Sequence, residues 1–151
     1  GPITAGDIFR VLPFGNELVV VEMDGRMLRR VLERKVRGDS SGLCISGATM
    51  RYDSTRPDWD RIVSLEVAGE PWDPDRTYRV VCTNYLLEGN SGLDFLTTIP
   101  AADVMPTQVR TAEAVEWYID EHDPVRPRLD DRWVEVSGQP QAPYLQVDEL
   151  P

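Results

Sequence analysis

Three side chains carry most of the chemistry this sequence offers. Phe14, Asn16 and Tyr85 stand in two glycine-bearing stretches, Pro13-Phe14-Gly15-Asn16 and Thr83-Asn84-Tyr85-Leu86-Leu87-Glu88-Gly89-Asn90-Ser91-Gly92. Pro13 fixes one backbone angle, and Gly15 reaches conformations closed to other residues. A turn built this way holds Phe14 and Asn16 in fixed outward directions. A flat apolar ring stacks, and an amide both donates and accepts hydrogen bonds, so the pair suits a heterocyclic base. By residue type alone, Phe14 and Tyr85 fit a protein core better than a binding site.

The other chemistry-bearing residues read as structural. The sequence has one histidine, no CxxC and no HExxH, so no metal-ligand spacing is present. His122 falls at a predicted helix end, where a solvated histidine is common. Asp58, Asp60, Asp73 and Asp75 lack the spacing of a calcium loop and suit turns instead. Arg26, Arg29, Arg30 and Arg34 form a solvated helix face more readily than an anion site. No serine occupies a nucleophile elbow. Cys44 and Cys82 sit in apolar, strand-like runs and read as small core residues rather than a disulfide.

These residues need a scaffold, and the chain is long enough to supply one. Its 151 residues suit a single domain with a real core. Acidic residues outnumber basic ones 26 to 16, a formal charge of -10, which repels nucleic acid backbones and anionic membranes. No apolar run is long enough to span a bilayer, and Gly1-Pro2-Ile3-Thr4 does not read as a signal peptide.

Thr4 caps a predicted short helix through Leu12, with Ile8, Phe9, Val11 and Leu12 as its apolar side. Leu18 to Met23 is apolar on both faces, which suits a buried strand. Asp24 caps the clearest helix, where Met27, Leu28, Val31 and Leu32 recur at helical spacing. Arg34, Lys35 and Arg37 favour its C-terminal dipole, and Gly38 ends it. Leu43–Ser46, Met50–Asp53, Arg61–Val67 and Tyr78–Cys82 read as strands. A proline-broken stretch runs to Pro106. Thr107 is expected to cap a helix through His122, with Val109, Ala112, Val115 and Ile119 inward. Trp133–Val136 reads as a last strand, and 137–151 as a tail. The class expected is α+β, a mixed β-sheet packed with two main helices over residues 1–136.

Four segments in order resemble the C-terminal domain of the 5'-nucleotidase family. They are Pro-Phe-Gly-Asn with its apolar strand and Asp24-Gly25, then Leu43-Cys44-Ile45-Ser46-Gly47, then Asp73-Pro74-Asp75-Arg76-Thr77-Tyr78-Arg79-Val80, and finally the Asn84 to Gly92 loop. The resemblance implies the same fold class. It also implies that Phe14 and Tyr85 sandwich a nucleobase, that Asn16 bonds the base edge, and that Gly47 lets backbone approach the base. Ser91 departs from the pattern, because the family places there an aspartate that binds both ribose hydroxyls. Asn90 or Asp94 substitutes for it if the loop register shifts.

By the same resemblance, catalysis belongs to an N-terminal metallophosphoesterase domain holding two divalent metal ions. The family's Asn-Gly-Gly-x-x-Arg segment, whose arginine grips the substrate phosphate, falls before the point where this chain begins. The implied role is therefore substrate binding within a periplasmic or secreted hydrolase of nucleotide phosphate esters. The alternatives are the same domain of a 2',3'-cyclic phosphodiesterase, a nucleotide-sugar hydrolase or a sulfur-compound hydrolase, or a non-catalytic nucleotide-binding module. The expected partners are a nucleoside or nucleotide and that N-terminal domain, with no nucleic acid and no membrane. No cofactor is expected within this chain.

Overall fold

The computed structural model describes residues 2–37 and 43–138. Helix α1 (Ala5–Val11) opens on a capping box, in which Thr4 accepts from the Asp7 amide and Asp7 accepts from the Thr4 amide. Strand β1 (Glu17–Asp24) then runs into α2 (Gly25–Lys35), with Asp24 Oδ1 accepting from the Met27 amide at 2.7 Å. Gly25 is required at this junction. A Cβ there would lie 2.0 Å from the Asp73 carbonyl oxygen, and the Gly25 carbonyl accepts from the Trp72 indole at 2.9 Å.

The remaining α-helices and strands are β2 (Ala48–Tyr52), β3 (Ile62–Val67), β4 (Glu70–Pro71), β5 (Thr77–Thr83), the single turn α3 (Asn84–Leu87), β6 (Val104–Arg110), α4 (Thr111–Glu121) and β7 (Trp133–Glu135), with short 3-10 turns between α3 and β6. The α+β class holds, but the strands divide into two sheets. The first has order β5-β1-β6 and is antiparallel throughout. The second has order β4-β3-β2-β7, and its β2–β7 pair is parallel, so only this sheet is mixed.

Helix α2 lies between two cores. Met27, Leu28 and Val31 pack on a cluster of Val19, Val21, Met23, Leu93, Phe95 and Leu96. Leu32 and Val36 belong to a second cluster with Met50, Ile62 and Leu65, and Leu28 touches this one too. Alternate residues of β1 thus feed the first core, as the two-residue period of a strand requires.

Several expectations need correction. Phe9 and Val11 are exposed, so Ile8 alone is the buried residue of α1. The outer face of the first sheet is only partly covered: Val20 pairs with Val81 and Met105, and both partners are exposed. Leu43–Ser46 is not a strand; Leu43 and Ile45 pack on the second core while Cys44 is exposed rather than buried. Cys82 is half-buried, and both cysteines are free thiols. The proline-broken stretch contains β6, an edge strand, where a missing proline N–H is tolerated. Thr107 lies within β6 and donates to the Leu18 carbonyl at 2.7 Å, and α4 starts after Arg110. Val109 accordingly precedes the helix, while Ala112, Val115 and Ile119 are half-buried within it. Helix α2 stops at Lys35; Gly38 and residues 139–151 lie outside the described residues.

Candidate functional site

The Phe14 turn joins α1 to β1, and two anchors fix its exit. The Asn16 carbonyl accepts from the Thr111 amide at 2.9 Å and from the Thr111 hydroxyl at 3.1 Å. The Glu17 amide donates to Asn84 Oδ1 at 3.0 Å. Asn84 opens α3, directly before Tyr85. Because β1 and β5 are antiparallel, with Leu18 opposite Thr83, the start of one strand meets the end of the other. Phe14, in its turn, and Tyr85, in α3, therefore stand on segments bound to each other at one end of one sheet, although the bonded residues Glu17 and Asn84 are 67 positions apart along the chain.

Neither ring is a core residue. Phe14 is 70% exposed and Tyr85 44%. Among the described residues the Asn16 carboxamide makes no hydrogen bond, which leaves its donor and acceptor groups unused. The Ser91 hydroxyl is likewise unused.

The loop after α3 is tied in three places. Asn90 Nδ2 donates to the Tyr85 carbonyl at 2.8 Å, so this side chain is committed to the loop itself. The Lys35 ammonium donates to the Ser91 carbonyl at 3.1 Å. Gly92, at φ 74°, lies against Arg34, and a Cβ there would come within 2.4 Å of Arg34 Nη2. Ser91 itself is exposed and left-handed, at φ 58° and ψ 29°. Asp94 is exposed just beyond, its carbonyl accepting from the Thr97 hydroxyl at 2.7 Å.

Gly47 lies in a different segment from these loops. It is an exposed turn residue leading into β2, on the second sheet, and its carbonyl accepts from the Ala68 amide at 2.8 Å. Nothing lies within 4 Å of where its Cβ would be, so its backbone is open to a ligand. Among the described residues no hydrogen bond joins it to the Phe14 or Tyr85 loops.

The other residues considered for chemistry have structural partners. Arg26 pairs with Asp75 at 2.6 Å, Arg29 bonds Glu33 and the Ile62 carbonyl, and Arg30 sits 4.2 Å over the Phe95 ring. This arginine row is thus engaged with protein rather than simply solvated. Asp58 pairs with Arg37 and Arg61, and Asp60 with Arg56. His122 stacks on Tyr118 with centroids 4.1 Å apart. Among the described residues no group of three or more His, Cys, Asp or Glu side chains is placed to hold a metal ion. No helix among them is long and apolar enough to cross a membrane.

Three contributors were not singled out from sequence. Asn84 and Thr111 bind the loops together, and Lys35 holds Ser91. The only local signal was the asparagine beside Tyr85. The partners of Lys35 and Thr111 are 56 and 95 residues away, beyond any periodicity.

Residues 1–98 match the family model for the 5'-nucleotidase C-terminal domain. The chain belongs to the 5'-nucleotidase family. Rat 5'-nucleotidase is 34% identical over 108 residues, covering 64% of this chain and 19% of that protein. Protein UshA of Yersinia enterocolitica is 32% identical over 135 residues, covering 83% of this chain and 22% of that protein. The crystal structure of a 5'-nucleotidase precursor from Thermus thermophilus superposes with a TM-score of 0.83 at 35% identity, over 93% of this chain and 29% of that one. The chain therefore spans about a fifth of the length of the curated relatives it matches, in the region of their C-terminal domain.

Proposed function

We propose that this chain is the substrate-binding domain of a 5'-nucleotidase-like phosphoric ester hydrolase. In this reading Phe14 and Tyr85 clamp a nucleobase, Asn16 bonds its edge, Gly47 offers backbone to it, and Ser91 faces the sugar. The observation that carries the reading is the Asn84–Glu17 hydrogen bond, which draws two loops bearing exposed aromatic rings to one end of the first sheet. Exposed rings in loops of fixed geometry cost nothing in unsatisfied polarity, and each base–aromatic stack is worth about 1–3 kcal/mol. The unused Asn16 carboxamide beside them adds a donor and an acceptor.

The metal chemistry belongs, in this reading, to an N-terminal domain of the same parent protein. There two divalent ions would activate water and polarise the phosphoryl oxygen. A periplasmic or extracellular setting is part of the same reading. Relative motion of the two domains would carry a clamped nucleotide to the metals.

Ser91 favours a second reading within the same chemistry. A serine offers one hydroxyl where a carboxylate accepts two short bonds from a vicinal diol. That change suits a substrate whose ribose diol is not free, such as a 2',3'-cyclic phosphodiester.

Calorimetric titration of the chain with adenosine, AMP and UDP-glucose tests the proposal. Binding of at least one, weakened by Phe14→Ala, is expected. No binding of any nucleoside, or binding indifferent to both Phe14→Ala and Tyr85→Ala, rejects the clamp. Hydrolysis of AMP, UDP-glucose and cyclic nucleotides, followed by product chromatography with manganese or zinc added, is expected to be nil. Turnover by a sample free of contaminating phosphatase would reassign catalysis to this chain.

A further inference from the structure

The last turn of α2 carries a cation where none is easily accommodated. Lys35 is 4% exposed, and its ammonium makes its hydrogen bond to the Ser91 carbonyl. Among the described residues no carboxylate pairs with it. Burial, with the neighbouring charge of Arg34, pushes its pKa below the ordinary lysine value. An apolar residue would fill this place more cheaply, since a buried charge without a counter-charge is destabilising.

What Lys35 holds is equally unusual. A serine at φ 58° is in the left-handed region, which costs a non-glycine residue about 1 kcal/mol. The residue beside it, Gly92, is also left-handed and is packed against the guanidinium of Arg34. Two consecutive residues of α2 thus grip two consecutive residues of the loop. From the other side, Asn90 fastens the same loop to the carbonyl of Tyr85.

We propose that Lys35 is a positioning residue for the sugar-facing loop: its ammonium, by holding the Ser91 carbonyl, fixes the left-handed turn that presents residue 91 to the sugar of a bound nucleoside. The inference rests on the clamp reading above. Lys35 touches no substrate in this arrangement, being buried behind the loop. Its effect falls on the sugar and not on the base, because the Phe14 turn is anchored separately through Asn84 and Thr111.

The test compares adenosine with adenine, and the chain with Lys35→Met. Methionine keeps the length of the apolar stem and removes the charge and the donor. Adenosine affinity is expected to fall about tenfold, the worth of one hydrogen bond to a charged group, with adenine affinity nearly unchanged. The backbone amide resonances of Asn90, Ser91 and Gly92 should shift or broaden with no ligand present. Lys35→Arg, which keeps a cationic donor, should recover most of the lost adenosine affinity. Equal weakening of adenosine and adenine, unshifted loop amides, or a melting temperature lowered by more than about 5 °C would make Lys35 a residue of the fold alone and overturn the proposal. If the unmodified chain binds neither ligand, the clamp reading fails and takes the inference with it. If it binds both and Lys35→Met changes neither, the inference fails and the clamp stands.

Discussion

At the second sheet, the Glu33 carboxylate is 2% exposed and accepts from the amides of Arg61 and Ile62 at 2.9 and 3.0 Å, with Arg29 at 3.4 Å. Asp53, also buried, accepts from the amide and hydroxyl of Thr55. At the end of the first sheet the balance is reversed. There Asn16 and Ser91 keep side-chain polar groups without protein partners among the described residues, beside two exposed rings. Both sheets lean on α2, but one consumes its hydrogen-bonding capacity internally and the other leaves some over. Ligand recognition needs that surplus, because groups already satisfied gain little from a new partner.

The comparison breaks most visibly at Glu33. Glu33→Ala strips the buried Ile62 amide, the partly buried Arg61 amide and Arg29 of their acceptor, and a loss of about 3–5 kcal/mol in unfolding free energy is expected by urea denaturation. The site end should respond in the opposite manner. Phe14→Ala and Tyr85→Ala should each weaken nucleoside binding by about 1–3 kcal/mol while leaving the urea midpoint nearly unmoved, since neither ring is buried. A large stability loss from either would place that ring in the fold and not in the site.

Ser91→Asp sharpens the contrast by adding capacity where it is already in surplus. Ribonucleoside binding should tighten by about 1.5 kcal/mol in calorimetric titration, and deoxyribonucleoside binding should stay nearly constant. Equal effects on both sugars would move the sugar contact to Asp94, since Asn90 is committed to Tyr85.

The smallest expected effect concerns acid. Hydrogen bonds from Thr55 hold the Asp53 carboxyl below its ordinary value of 3.8. A carboxylate depressed on folding contributes stability in full above its unfolded value, and loses it as the pH falls through the lowered folded value. Asp53→Asn should therefore flatten the stability profile below about pH 4, with nucleoside binding at pH 7 unaffected. A profile with the same acid slope in the variant would assign that slope to other carboxylates.

Much of this was legible where the signal is local. Thr4 before the first helix, and Asp24 before a helical repeat of Met27, Leu28, Val31 and Leu32, announce α1 and α2 because caps and amphipathic spacing act within a few residues. Pro106 hid β6, since a proline argues against a strand unless the strand is known to be an edge, and that is a property of the sheet. Thr107 resembled a cap because its long-range bond to Leu18 is invisible in sequence. The division into two sheets was hidden for the same reason, as strand partners depend on contacts distant along the chain. At the site, Phe14, Asn16 and Tyr85 stood out by residue type and turn chemistry. Lys35 did not, because at a helix C-terminus a lysine is already explained by the dipole.

Leu28 touches both hydrophobic clusters, and the helix that carries it has no face of its own to retain if either sheet departs. Unfolding should therefore be a single event. The slowest-exchanging amides of Val21 in the first sheet and of Met50 in the second should open at one common free energy, with coincident transitions by fluorescence and circular dichroism. In the proposed reading a ligand binds at one edge, and such cooperativity then means that binding there protects the far sheet from proteolysis as much as the near one.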